Sequence, residues 1–209
     1  MTLSERLAGQ LARPSGTAGR LLGVAMDLAN RKPTRLAIDL LAPATGERVL
    51  DAGCGTGAAM LAMLRSSGCS VTGVDRSGMM VNVAQRRMAR AKLLGRSHLY
   101  HADIAMLPFA EESFAAVLAL NVLYFCDVEG RMMGNLRRML QPGGRMVAYV
   151  TDAASMGDWA FARQGRHRLY DQTSLTRAFI DGGFDRDRVA VHRVAITRSV
   201  TGLLACAVR

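Results

Sequence analysis

A short run of glycines and two carboxylates is the part of this 209-residue sequence best suited to hold a ligand. Gly53, Gly55 and Gly57 directly follow a short apolar stretch that ends in Asp51. A strand that turns at once into a helix beside a ligand needs residues without Cβ, because backbone must approach the ligand closely. Asp75 ends a second apolar run, where a carboxylate can accept hydrogen bonds from both hydroxyls of a ribose. The spacing predicts a site for a cofactor that contains a nucleoside.

The charge of Asp51 separates two classes of cofactor. The pattern Gly53-x-Gly55-x-x-Ala58 also satisfies the loose fingerprint of nicotinamide enzymes. A carboxylate just before the glycines repels a pyrophosphate, whereas it attracts the sulfonium and ammonium groups of S-adenosylmethionine. The residues therefore favour S-adenosylmethionine. For Asp75 a structural alternative stays open, as the N-cap of the helix that begins at Ser77.

The elements around these residues alternate between strand and helix. Helical patterns follow the glycines as far as Gly68, and then cover 77–94, 128–140 and 173–181. The strands are predicted at 48–51, 70–75, 97–102, 114–120, 144–151, 188–196 and 199–208. Such βαβ units predict an α/β, Rossmann-like, doubly wound and mainly parallel seven-stranded sheet, with the last two strands as a C-terminal antiparallel hairpin.

The residues before Glu47 are predicted to form a separate unit. Residues 1–18 are polar and predict a mobile arm, and 20–30 follow a helical period. Pro33 is expected to end that helix and Thr34 to begin a second one. The predicted division is an N-terminal arm and helical lid at 1–46 and a cofactor-binding domain at 47–209.

Five segments in order give the sequence a family resemblance over roughly Glu47 to Val150. They are the glycine motif at 49–57, the acidic motif at 73–80, and the segments at 101–109, 113–124 and 136–144. In these segments the chain resembles the class I S-adenosylmethionine-dependent methyltransferases of the small-molecule type. The resemblance implies that the glycines contact the methionine and ribose portions, that Asp51 lies near the ammonium group and that Asp75 binds the ribose.

The resemblance also implies an adenine site. Met80 and Ile104 would pack on the two faces of the ring, with core packing as the alternative for Met80. Asp103 would accept a hydrogen bond from the exocyclic amine, with the backbone of Ala102 and Ile104 nearby. Arg76 departs from the family, where an apolar residue is common, and its guanidinium either stacks on the ring or points to solvent. Asn121, in a loop after a strand, is expected near the methyl group.

Methyl transfer from a sulfonium is an in-line displacement, so orientation alone supplies much of the acceleration, and no catalytic residue is assigned. Tyr124, Trp159, His167 and Tyr170 are candidates to face the acceptor, each with packing as its alternative. We predict transfer to an oxygen or nitrogen atom of a small molecule. The alternatives are a phospholipid N-methyltransferase at a membrane surface, an RNA methyltransferase, and a non-catalytic S-adenosylmethionine-binding protein.

Composition limits the partners. The chain has 27 Lys+Arg against 17 Asp+Glu, a formal net charge of +10, with only two lysines. Positive charge does not help to bind a cationic cofactor, so we expect the excess to help bind an acceptor that is anionic or a lipid. Peripheral membrane contact is then expected, and DNA is not an expected partner. We expect the arginines before Glu47 and those in 163–168 to bind this acceptor.

The four cysteines lack metal-binding or disulfide spacing, which predicts no metal site and a cytoplasmic location. The sequence predicts no transmembrane segment and leaves the oligomeric state open.

Overall fold

The computed structural model describes residues 26–126, 130–157 and 167–209. The predicted arm at 1–18, most of the predicted helix at 20–30, Trp159 and the arginines in 163–166 lie outside these residues. Within them, no helix is long and apolar enough to cross a membrane.

Seven strands form one sheet in the order β3-β2-β1-β4-β5-β7-β6. Their bounds are β1 Arg48–Ala52, β2 Ser70–Asp75, β3 Ser97–His101, β4 Phe114–Leu120, β5 Leu140–Thr151, β6 Val189–Ala195 and β7 Thr201–Val208. The first five strands are parallel, and β7 runs antiparallel between β5 and β6. The predicted sheet and its C-terminal hairpin are confirmed.

The start of β5 differs from the prediction. The strand begins at Leu140 and not at Gly144, and its pairing with β4 shifts register between Phe114 and Ala116. The turn sequence Pro142-Gly143-Gly144 falls inside this irregularity, where Gly143 has φ of +73°. Pro142, Gly143 and Gly144, which lie at or just before the predicted start of the strand, therefore form a bulge within β5.

Helices cover both faces of the sheet. They are α1 Arg31–Leu41, α2 Ala58–Ser66, α3 Gly78–Arg90, α4 Arg131–Arg138 and α5 Gln172–Asp181. The prediction that Pro33 ends a helix was wrong, since Pro33 lies in the first turn of α1. A first-turn N–H has no partner inside the helix, so proline is tolerated there. Residues 26–29 form a helical turn just before α1.

Two apolar clusters lie on opposite faces of the sheet. On one face, Ala37 and Leu41 of α1 pack with Met60 of α2 and with strand residues such as Val49. On the other, α4 and α5 contribute Leu136, Leu175 and Phe179. Because Ala37 and Leu41 are fully buried, α1 belongs to the same core as the strands. This arrangement fixes the carboxyl ends of β1, β2 and β4 beside the start of α1.

Candidate functional site

A cavity of about 180 Å³ lies at the carboxyl ends of β1, β2 and β4. The predicted site residues that line it are Asp51, Gly53, Gly55, Asp75, Arg76, Met80, Ile104 and Asn121. Gly57, Ala102 and Asp103 are not among its lining residues within the described part of the chain. The structure thus brings eight of the eleven predicted residues to one crevice.

The three glycines of the loop have different environments. All three have positive φ, but a Cβ on Gly55 would find no atom within 4 Å, so this position opens onto the cavity. A Cβ on Gly53 would lie 2.9 Å from Cγ2 of Val122. A Cβ on Gly57 would lie 2.9 Å from Cβ of Ala84, so Gly57 allows α2 to pack closely against α3. The sequence grouped the three glycines together, whereas only Gly53 and Gly55 border the cavity.

Asp51 is a buried residue that lines the cavity. Asp51 is 1% exposed, and its buried Oδ2 atom has no hydrogen-bond partner among the residues that the structure describes. Burial, with a smaller contribution from the negative charge of Asp75, raises the pKa of Asp51 to about 7. A buried polar atom without a partner is costly, so the position suits a ligand that brings a positive charge or a hydrogen-bond donor.

Asp75 holds the glycine loop in place. Its Oδ2 atom accepts a hydrogen bond from the backbone N–H of Gly55 at 2.9 Å, and its Oδ1 atom accepts one from Ser77 at 2.8 Å. Burial raises the pKa of Asp75 despite these hydrogen bonds. The N-cap of α3 is Ser77, whose hydroxyl accepts from the N–H of Met80, so the alternative of Asp75 as the cap is wrong.

The predicted adenine side of the cavity is apolar at its base and cationic at its edge. Met80 and Ile104 are almost fully buried and face the cavity. The Arg76 guanidinium lies 5.8 Å from the centroid of the Phe125 ring, and both residues line the cavity. Asp103 is exposed and accepts a hydrogen bond from the N–H of Ala105 at 2.9 Å. Asp103 therefore shapes the turn that carries Ile104.

Two of the four predicted acceptor-facing residues are packing residues. Tyr170 is fully buried and donates its hydroxyl to the carbonyl of Leu123 at 2.9 Å. The Tyr124 hydroxyl accepts from the N–H of Thr151 at 2.6 Å and donates to Oδ1 of Asn121 at 3.3 Å. Burial raises the pKa of Tyr124 to about 12, so it is not a base.

A third candidate, His167, is not among the residues of the described chain that line the cavity. Its ring packs edge to face on Phe125, with centroids 5.1 Å apart. His167 therefore contacts a residue that lines the cavity.

Sequence reasoning missed the polar residues that close the cavity from the N-terminal side. Thr56 donates its hydroxyl to the carboxylate of Asp27 at 2.6 Å, and Arg87 donates to both, at 2.9 and 2.7 Å. Across the cavity, the side-chain amide of Asn121 donates to Oδ1 of Asn30 at 3.0 Å. Asp27 and Asn30 lie one helical turn apart, a spacing that places them on one face. That spacing was the only signal in the sequence.

Comparison with known proteins agrees with this geometry. Residues 49–144 match a family model described as a methyltransferase domain. Over 127 residues the chain is 39% identical to a demethylmenaquinone methyltransferase from Clavibacter sepedonicus, covering 61% of this chain and 49% of that protein. It is 31% identical over 122 residues to the O-methyltransferase resE from Aspergillus sclerotiorum, covering 58% and 46%.

The fold is shared with solved structures. A geranyl diphosphate C-methyltransferase from Streptomyces coelicolor superimposes with a TM-score of 0.71 at 17% identity, over 86% of this chain and 76% of that one. The chain spans about half the length of the curated relatives that it matches. With the glycine motif, the acidic cavity and the strand order, residues 49–144 form a class I S-adenosylmethionine-dependent methyltransferase domain.

Proposed function

We propose that this chain transfers a methyl group from S-adenosylmethionine to an oxygen or nitrogen atom of a small-molecule acceptor. The observation that carries the proposal is the buried Oδ2 atom of Asp51, which has no hydrogen-bond partner in the described part of the chain and lines the same cavity as Gly55. A cationic ligand compensates this carboxylate, whereas the pyrophosphate of a dinucleotide would add to its repulsion.

Different residues of the site bind different parts of the cofactor. S-adenosylmethionine, when bound, supplies a methyl group on a positively charged sulfur. Asp51 attracts the positive end of the ligand, and Asp75 accepts hydrogen bonds from the ribose hydroxyls. Met80, Ile104 and Arg76 enclose the adenine. The remaining predicted residues, Gly57, Ala102 and Asp103, support the site from outside the cavity.

Asn121 is the group we place closest to the transferred methyl. It lies just after β4, has φ of +55°, and its side chain is fixed by Tyr124 and Asn30. These hydrogen bonds leave one rigid polar wall at the place where an acceptor approaches. Acceleration then comes from orientation and exclusion of water, which suffices for an amine acceptor with a free lone pair, whereas a hydroxyl acceptor must also lose its proton as the new bond forms.

We propose an oxygen or nitrogen atom as the acceptor and a cytoplasmic location for the protein. The O-methyltransferase name of the fungal relative supports oxygen. A solved structure of similar fold, TM-score 0.73, is a phosphoethanolamine N-methyltransferase from Haemonchus contortus, which supports nitrogen. All four cysteines are free, which agrees with a reducing compartment.

A melting experiment tests the cofactor assignment. We expect S-adenosylhomocysteine to raise the melting temperature, because a ligand that binds only the folded state stabilises it, and we expect NADP to have no effect. Asp75→Ala removes the ribose partner and is expected to abolish most of the shift. Equal shifts from both ligands, or none from either, would contradict the proposal.

Product formation is the second requirement. We expect transfer of labelled methyl from S-adenosylmethionine to hydroxyl or amine acceptors by the wild type, with loss in Asp51→Asn. A protein that binds S-adenosylhomocysteine but never methylates any acceptor would agree only with a non-catalytic role.

A further inference from the structure

A second recess, next to the cofactor cavity, is lined by arginines from two helices. It encloses about 390 Å³ between α2 and α3, and its charged side chains are Arg65, Arg86, Arg87 and Arg90. No carboxylate is among its lining residues in the described part of the chain. We call this recess the arginine groove.

Most of the positive charge in the arginine groove is not neutralised. Arg87 is paired with Asp27 at 2.7 Å. Arg65, Arg86 and Arg90 are exposed, and within residues 26–126, 130–157 and 167–209 they form no ion pair. Arginine in the last turn of a helix complements the helix dipole, which accounts for Arg65 and Arg90 singly. It does not account for four guanidinium groups around one recess.

The apolar walls of the arginine groove strengthen the positive electrostatic potential inside it. Leu61, Val83 and Ala91 form apolar parts of its lining, and an apolar wall focuses the electrostatic potential of the charges above it. A guanidinium offers a planar pair of donors that matches two oxygens of a phosphate or a carboxylate, and several of these cations around one recess favour the more highly charged phosphate.

The groove adjoins the cofactor cavity. Thr56 and Met80 line both, and Arg87 connects the groove to Asp27 at the cavity mouth. A group bound in the groove therefore lies directly behind the wall of the cofactor site.

The arginine surface continues past the groove. Leu61, Arg65 and Arg87 also line a neighbouring cavity of about 690 Å³, with Arg31 and Arg35 of α1. Leu28, 66% exposed, lines the same cavity. Asp27 and Asp39 are its carboxylates, so the net charge around it remains positive.

We propose that the arginine groove binds a phosphate group, supplied either by a soluble phosphate compound or by the headgroup of an anionic lipid. This site is separate from the cofactor cavity and does not rest on the proposed methyl transfer.

The test compares two triple variants with the same net charge. Arg65→Ala/Arg86→Ala/Arg90→Ala removes the three groove arginines that form no ion pair with the described residues. Arg177→Ala/Arg186→Ala/Arg198→Ala removes three exposed arginines from elsewhere. Arg87 is kept in both because it contacts residues of the cofactor cavity. Melting is measured in inorganic phosphate against chloride of equal ionic strength, and cosedimentation with phosphatidylglycerol–phosphatidylcholine vesicles against phosphatidylcholine alone.

We expect the wild type to respond to one of these probes. Stabilisation by inorganic phosphate would assign a soluble phosphate, and retention by the anionic vesicles would assign the lipid headgroup. In the groove variant, binding should fall about fivefold for each arginine removed, while the control variant should lose much less. If the groove variant does not fold, the single variant Arg86→Gln serves in its place, with Arg186→Gln as its control.

Two results would overturn the proposal. One is a wild type that neither responds to inorganic phosphate nor binds anionic vesicles. The other is an equal loss in both variants, which would mean that net charge and not the groove is responsible. The shift with S-adenosylhomocysteine should be unchanged in both variants, so a failure of the cofactor assignment would be seen separately.

Discussion

Asp51 is the residue whose ionisation the cofactor cavity controls. Its pKa is raised to about 7, against an ordinary value of 3.8, because burial disfavours the charged form and Asp75 lies nearby. The folded state then binds a proton that the unfolded state releases. Between these two values folded protein holds more protons than unfolded, so its stability falls as the pH rises.

Asp51→Asn therefore should change how stability depends on pH. In the ligand-free wild type this group lowers the free energy of unfolding by up to about 4 kcal/mol as the pH rises from about 4 to about 7. The variant cannot ionise and should lack this slope, so it should be more stable than wild type at pH 8. Chemical denaturation across the pH range measures both. Parallel pH profiles for the two proteins would contradict the assignment of the shift to Asp51.

At the scale of the element, the glycine loop has two roles. Gly55 borders the cofactor cavity, and Gly57 lies where α2 packs against α3. Gly55→Ala adds a methyl group in open space with some backbone strain, so it should abolish S-adenosylhomocysteine binding with a modest loss of stability. Gly57→Ala places its methyl 2.9 Å from Ala84 Cβ and should cost about 1–3 kcal/mol more stability than Gly55→Ala, through overpacking of α2 against α3. Denaturation and ligand titration of both variants measure the two effects. An equal loss of stability would show that the loop acts as one unit.

The turn at residues 26–30 is the second element that the site depends on. We propose that it acts as a lid, because Asp27 binds Thr56 and Arg87 on one side while Asn30 binds Asn121 on the other. Asp27→Ala should weaken S-adenosylhomocysteine binding about tenfold, which corresponds to the loss of about 1.4 kcal/mol of charged hydrogen bonding. Calorimetric titration measures the dissociation constant.

Thr56→Ser, which keeps the hydroxyl, serves as the control for the lid and should bind like wild type. An unchanged dissociation constant in Asp27→Ala would show that the turn does not hold the ligand.

The sequence predicted the elements better than their ends. The alternation of strand and helix is carried by long apolar periodicities, so the seven strands and the hairpin were found. The prediction for Pro33 was wrong because a proline marks a break only where its missing N–H would have had a partner. The sequence placed Asp51, Gly55 and Asp75 together because they belong to two short motifs, and in the structure all three line one cavity. Contacts between distant segments, such as Asp27 with Arg87 or Asn30 with Asn121, leave little trace in the sequence.

For the whole molecule, the question is whether the residues before Glu47 are a separate unit, as predicted. Arg145 of β5 donates to the carbonyls of Leu41 and Ala42 at the end of α1, and to both carboxylate oxygens of Glu47, at 2.9 and 2.8 Å. The hydrogen bond from Arg145 lowers the pKa of Glu47. These contacts join the end of α1 to the centre of the sheet, and Leu41 is fully buried in the core.

Arg145→Ala tests whether α1 and the sheet unfold together. Because the guanidinium is half-buried and satisfies two carbonyls and a carboxylate, we expect a loss of about 2 kcal/mol in the free energy of unfolding, in one cooperative transition. The loss should shrink in acid, since a depressed pKa gives stability that disappears as Glu47 becomes protonated. Arg177→Ala, which breaks an exposed pair with Asp181, should cost under about 0.5 kcal/mol and serves as the control. Two separate transitions in Arg145→Ala would instead show that α1 and the sheet fold independently, which would favour a division at residue 46.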